Sequence, residues 1–257
     1  MANLETNINQ VNSDFQKIKT ALIDSGVEVA DGTRTSEYGE KVREVFDAGK
    51  QAEYDLFWDA YQQNGTRANY EGAFSGKGWT LTTFKPKYDI TVTESAYNLF
   101  KACELSVDLV QLLDRLGVTL DLSKSNNVQY AFYGSAFTHI GVINATSSSS
   151  VNNTFNSCGT LVTIDKLILK SEGNQTFTNA FNGCRSLENI TIEGAIGNSI
   201  NFSYSPLTHD SLMSIINALM DKTSATTKPI LTIGTTNYNK LTAEEIKIAT
   251  DKGWEVV

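Results

Sequence analysis

Few side chains in this sequence are suited to chemistry. Cys103, Cys158 and Cys184 each stand three residues after a phenylalanine, at Phe100, Phe155 and Phe181. A zinc site needs closely paired ligands such as Cys-x-x-Cys, and a disulfide framework needs an even count. Neither pattern is present, and Ser135 takes the same place after Phe132. The position therefore wants a small, weakly polar side chain, and the cysteines read as buried residues. His139 falls in a strand-like stretch and His209 in the first turn of a helix beside Asp210. Neither has a motif-placed serine or cysteine nucleophile, so each reads as a solvated or capping histidine. Gly134 and Gly141 lie in repeat turns, and no phosphate-binding or dinucleotide loop occurs. The pair Glu244-Glu245 belongs to a helix start. A carboxylate pair for glycoside hydrolysis would come from distant positions and stays open. The expectation is a chain with no catalytic residues, cofactor or metal, and not an enzyme.

The repeat that positions these residues is the strongest signal. NTFNSCGTLVTI at 153–164 and NAFNGCRSLENI at 179–190 share the pattern N-x-F-x-x-C-x-x-L-x-x-I. Their apolar positions are Phe155, Cys158, Leu161 and Ile164, then Phe181, Cys184, Leu187 and Ile190. Two looser copies precede them: Phe100 with Cys103, which opens into a helix-like stretch from Val107 to Leu116, and Phe132 with Ser135. A degenerate copy surrounds Phe202. One such unit cannot bury its apolar side alone, whereas stacked units can. Short strands are expected at Thr163-Ile164, Leu167–Leu169 and Ile190–Ile192. The Asn two residues before each Phe suits a turn, where its side chain can bond the backbone.

The flanks read differently. Leu4, Ile8, Val11, Phe15, Ile18 and Leu22 alternate at steps of four and three, a heptad seam with Asp14 and Lys19 at flanking positions. It fits either a self-associating coiled coil or an amphipathic helix packed on its own chain. Gly26 ends it. A second helix runs from Tyr38 through Val42, Val45, Phe46, Ala52 and Phe57 to Tyr61, and Asn64-Gly65 stops it. Residues 66–96 form an aromatic connector with Tyr70, Phe74, Trp79, Phe84 and Tyr88, either covering an open core or exposing an aromatic contact surface. From 206 the chain becomes regular. Thr208 caps a helix carrying Leu212, Ile215, Ile216 and Leu219, and Pro229–Ile233 is a strand. Thr242 to Glu245 is a capping box that starts a short helix closed by Gly253, and Trp254–Val257 is a last strand. The predicted fold is α+β: N-terminal helices over 1–65, the connector over 66–96, an irregular leucine-rich-repeat-like β solenoid over 97–205, and an α/β cap over 206–257.

Composition limits the function. The chain has 257 residues, a net charge of -8 and no basic run, which argues against a nucleic-acid partner. No stretch reaches the ~18 apolar residues of a membrane span, so no membrane insertion is expected. The first residues have neither a basic region nor an apolar core of a secretory signal. The expectation is a protein that stays in the cell that makes it or leaves by a route other than the general secretory one.

The F-x-x-C-x-x-L-x-x-I unit resembles the BspA-like branch of leucine-rich-repeat proteins, over roughly residues 97–205. Two further segments, ALIDSGVEVADGTRTSEYGEKVREVFDAGK with GKGWTLTTFKPKYDI, and PLTHDSLMSIINAL with LTIGTTNYNKLTAEEIKIATDKGWEVV, resemble phage and prophage structural proteins of the tail and fibre type. The resemblance implies a virion component, a fibre, receptor-binding or decoration protein, assembled in the host cytoplasm and released by lysis. Its implied partners are copies of itself, a trimer being one form, other virion proteins, and a host cell-surface glycan or protein. A bacterial cell-surface adhesin and a cytoplasmic interaction scaffold are the alternatives. The loops Thr146–Ser150 and Gly173–Thr176 are the expected ligand contacts, because solenoid loops on one face commonly bind.

Overall fold

The computed structural model describes residue 55, residues 57–76 and residues 79–257. The chain divides into two compact units, Met1–Tyr61 and Gln62–Val257. The heptad positions Leu4, Ile8, Val11, Phe15, Ile18 and Leu22 lie outside the described residues, as does most of the second expected helix. Its last turn is described: residues 57–61 are helical, with the rings of Phe57 and Tyr61 stacked at 5.3 Å. Asn64 and Gly65 follow with φ of 52° and 82°, a left-handed path that a helix cannot continue through.

Turns organise the second unit. In five of them the chain goes left-handed twice, two residues before a phenylalanine and two residues after it. The pairs are Gly72 and Gly76, Asn98 and Ala102, Tyr130 and Gly134, Asn153 and Ser157, and Asn179 and Gly183. This explains the recurrent Asn, which tolerates positive φ better than most side chains. Successive turns are joined through the backbone. The Phe74 N–H donates to the Leu99 carbonyl (2.7 Å), Phe100 to Ala131 (2.6 Å), Phe132 to Thr154 (2.9 Å) and Phe155 to Ala180 (3.0 Å). Each partner is the residue just before the next phenylalanine, so the turns stack in register.

The inward side chains form one file. Phe74, Phe100, Phe132, Phe155, Phe181 and Phe202 are all fully buried. Their ring centroids follow one another at 5.1, 5.5, 5.6, 5.4 and 4.4 Å. Burying one such ring is worth about 1.5–3 kcal/mol, and a ring pair adds about 0.5–1.5 kcal/mol. The connector belongs to this file, since Phe74 is its first ring and Tyr70 and Phe84 are buried beside it. Beside the file run Cys103, Ser135, Cys158 and Cys184, each buried, followed by Leu161, Ile164, Leu187 and Ile190, also buried.

The strands do not make a solenoid. Among the described residues eight short strands form three small, separate sheets, all parallel. β1 (Ile90–Thr91) pairs with β2 (Leu120–Asp121). β3 (His139–Asn144), β4 (Thr163–Ile168) and β5 (Asn189–Glu193) form the second sheet. β6 (Ile200–Asn201), β7 (Ile230–Thr232) and β8 (Glu255–Val256) form the third. Helices are interleaved with them: α1 (Leu109–Leu116), α2 (His209–Ala218), α3 (Gly234–Tyr238) and α4 (Ala243–Asp251), together with a 3-10 turn at Gln63–Gly65. The α+β, leucine-rich-repeat-like β solenoid expected from the sequence is therefore corrected to a mixed α/β arrangement. The physical reason is that the segments between the phenylalanines differ in length and in hydrophobic period. The one after Phe100 forms α1 where the next three form strands, so no sheet extends through the stack.

Helices close both edges of the central sheet. Asp108 caps α1, accepting the Gln111 N–H at 3.0 Å, and Gly117 ends it with φ of 67°. Leu109, Leu112 and Leu113 turn inward. Gly141 lets α1 approach β3, because a Cβ there would meet the Val110 side chain at 3.1 Å. At the other edge α2 is capped by Thr208, and it covers β5 with side chains. The Ile190 N–H donates to the Ser211 hydroxyl (2.9 Å) and the Ile192 N–H to the Ser214 hydroxyl (2.8 Å). Two edge N–H groups that would template another strand are thereby occupied. Thr242 and Glu245 form the reciprocal capping box at the start of α4.

Candidate binding surface

The stack uses up much of the chain's polar chemistry. The Cys158 thiol donates to the Phe132 carbonyl (2.9 Å) and Cys184 to the Phe155 carbonyl (3.0 Å). Burial pushes all three thiols up, Cys158 to about 11 against its contact with Ser135. A thiol held protonated at neutral pH is a poor nucleophile and a poor metal ligand. Among the described residues no group of three or more histidine, cysteine or carboxylate side chains is placed to hold a metal ion. No described helix is long and apolar enough to cross a membrane.

The two loops expected to contact a ligand are part buried and part open: Ser147, Ser149, Asn174 and Thr176 are exposed. Ser148, Ser150 and Gln175 are buried. The Gln175 amide donates to the carbonyls of Ala145 (2.8 Å) and Ser148 (2.9 Å) and accepts the Lys170 N–H (2.8 Å). One side chain thus ties the loop before Val151 to the loop after Leu169, and its polar atoms are spent there. Gln62 does the same at the start of the unit, holding the backbone of Lys87 and Tyr88.

Two constellations remain on the outside. The first is on the solvent face of the central sheet. His139 Nδ1 lies 3.0 Å from Asp108 Oδ2, and its Nε2 lies 2.8 Å from Asp165 Oδ1. The histidine is neither solvated nor a cap but a bridge between two carboxylates. Partial burial opposes its charged form, yet the hydrogen bonds and charges of Asp108 and Asp165 outweigh it and hold the imidazole above its ordinary pKa. Asp108 is likewise held below the usual carboxylate range: burial works against it, and the Gln111 N–H and His139 prevail. Asp165 also lines a cleft of about 330 Å³ with Asn189, Thr191 and Asp210. With both ring nitrogens engaged, His139 reads as a clamp joining α1, β3 and β4. His209 is more exposed and pairs with Glu245 at 2.9 Å.

The second constellation is on the turn side, where two neighbouring turns present aromatic side chains. Tyr97 and Tyr130 meet edge to face at 5.6 Å, and Tyr130 and Tyr133 lie 5.6 Å apart. The Lys101 ammonium sits 5.7 Å from the ring centres of both Tyr130 and Tyr133. All four are half-buried. The register that stacks Phe100 on Phe132 places Asn98 beside Tyr130 and Lys101 beside Tyr133, and the Asn98 N–H donates to the Gln129 carbonyl at 3.3 Å. The side-chain oxygen of Asn98 is buried there without a hydrogen-bond partner.

No family model, no curated protein and no solved structure matches this chain. The sequence reading missed both constellations. For His139 a signal existed, since Asp108 and Asp165 lie about one repeat before and after it. For the tyrosines the signal was the replacement of Asn by Tyr at 130 and 133 in an otherwise Asn-rich position.

Proposed function

We propose that the chain is a non-catalytic structural component of a phage virion, of the fibre, receptor-binding or decoration kind, and that its second compact unit displays a surface for host contact. The observation that carries this reading is the in-register stack of turns. A file of buried rings fixes the inside, and the outward residues of successive turns form rows that can vary without disturbing it. Such a platform suits recognition, where side chains must be held at fixed spacing. The thiols and His139 are occupied in holding the scaffold, which supports a binding role over a catalytic one. The resemblance of the N- and C-terminal segments to tail- and fibre-type proteins supplies the setting. Attachment to other virion proteins and self-association are assigned to the N-terminal region.

The test is direct. Virions purified from the producing host through a density gradient are examined by quantitative mass spectrometry. The chain is expected to band with the major capsid protein in a fixed ratio. A chain found only in the soluble or cell-envelope fraction overturns the reading in favour of a cytoplasmic scaffold or a cell-surface adhesin respectively.

A further inference from the structure

The tyrosine array has chemistry the scaffold does not use. Among the described residues, none of the hydroxyls of Tyr97, Tyr130 and Tyr133 nor the Lys101 ammonium makes a hydrogen bond, and the buried Asn98 side-chain oxygen has none either. A buried polar atom left unpaired is costly and rare, which sets this one apart. The turn around Phe155 shows the contrast. At the same register positions the Asn156 amide donates to the Asn153 side-chain oxygen (2.9 Å), and the Asn152 side-chain oxygen accepts the Thr178 N–H (2.7 Å). The array thus differs from the turn that follows it, whose outer amides are bonded.

We infer that Tyr97, Asn98, Lys101, Tyr130 and Tyr133 form a binding site for a saccharide carrying an anionic substituent, a carboxylate or a phosphate. A sugar ring has an apolar C–H face and a rim of hydroxyls. Half-exposed tyrosine rings match the face, and their hydroxyls match the rim. Aromatic side chains with an apolar body and a polar tip suit such amphipathic surfaces. The anionic substituent follows from Lys101. In a chain of net charge -8, this cation has no carboxylate partner among the described residues and is held over two rings. It can pair with a carboxylate or phosphate at little cost in side-chain freedom. The inference rests on the host-contact reading for its biological setting only.

The experiment is isothermal titration calorimetry of the full chain with three probes: tetragalacturonic acid, its fully methyl-esterified neutral form, and a mannose 6-phosphate oligomer. The variants are Tyr130→Asn, Tyr133→Asn and Lys101→Asn. Asn already stands at the matching positions of the later turns and tolerates the left-handed backbone of Tyr130, so the fold is kept, and unchanged melting checks it. At least one anionic probe is expected to bind. Binding should fall about tenfold in Tyr130→Asn. Lys101→Asn should cost the anionic probe about threefold and leave the neutral ester unaffected. Binding of one anionic probe alone identifies carboxylate or phosphate as the substituent. The inference is overturned if neither anionic probe binds, if the ester binds as tightly as the acid, or if the three variants bind as the parent does. Titration and virion fractionation are read independently: a chain absent from virions that still binds the acid keeps this site, and a chain on virions that binds no probe loses it.

Discussion

The turns around Phe100 and Phe132 and those around Phe155 and Phe181 have the same inside and different outsides. In both pairs the rings stack within 5.6 Å, with interplanar angles below 20°. In both, the chain goes left-handed two residues before and after each phenylalanine. Outside, the later pair carries Asn152, Asn153, Asn156, Asn179 and Asn182, and several of these amides are used by their neighbours. The earlier pair carries Tyr97, Lys101, Tyr130 and Tyr133, which touch one another through ring faces and leave their polar ends open. One ring file with its paired left-handed residues thus carries two different outer surfaces. On the proposed reading, outer residues that close on each other belong to the scaffold and the open polar ends serve recognition.

The largest effect should come from the shared inside. Phe155→Ala, with a ring packed on either side, is expected to destabilise the protein by about 3–5 kcal/mol in urea denaturation, and Phe132→Ala by a similar amount. A large difference between them would mean that the two pairs are not built alike. Gln175→Ala removes a buried amide that serves three backbone groups and should cost about 1–3 kcal/mol by the same measurement. The outer residues separate the pairs. Asn153→Ala should cost about 1–2 kcal/mol, from the left-handed backbone and the lost Asn156 bond. Tyr133→Asn should stay within about 0.5 kcal/mol of the parent. If Tyr133→Asn proves as costly as Asn153→Ala, the tyrosines are scaffold and the contrast fails.

The His139 clamp gives the smallest effect and a definite sign. Its pKa is raised in the folded state, so its contribution is fully present below the unfolded value of about 6.5 and is lost as pH rises through the folded value. Asp108 is depressed, so its contribution is present above about 3.9 and is lost as pH falls through the folded value. The clamp is therefore strongest between these limits. Thermal melting at pH 5.5 and pH 8.5 should show the wild type losing more stability at the higher pH than His139→Gln loses. Equal losses in the two proteins would remove the clamp.

The inward pattern was readable in the sequence because a phenylalanine with a cysteine or serine three residues after it recurs in four turns. Phe74 escaped that reading because Gly72 replaces the Asn before it and no Cys or Ser stands three residues after it. Its turn needs only the left-handed backbone, which glycine supplies without the motif. The sheets were misread for a related reason. A run such as Thr163–Ile168 shows that a strand forms, but not how far the sheet continues, and α1 and α2 close it at both edges. α3 follows β7 after a single residue in Gly-Thr-Thr-Asn-Tyr, with too few apolar positions to show a helical period. The capping box of α4 and the apolar face of α2 were legible because their signals are local. The His139 bridge and the tyrosine array were not, since each joins residues that only the stacking of turns brings together.

The outward face of the Phe100 and Phe132 turns is proposed to make the host contact. The direct measurement is saturable binding of the fluorescently labelled full chain to cells of the producing host. It compares the parent, Tyr130→Asn with Tyr133→Asn, and Asn152→Ala as a control on the later turns. Saturable binding is expected of the parent, with a loss of at least about tenfold in the double tyrosine variant and little change in the control. Binding by the double variant equal to that of the parent would contradict it.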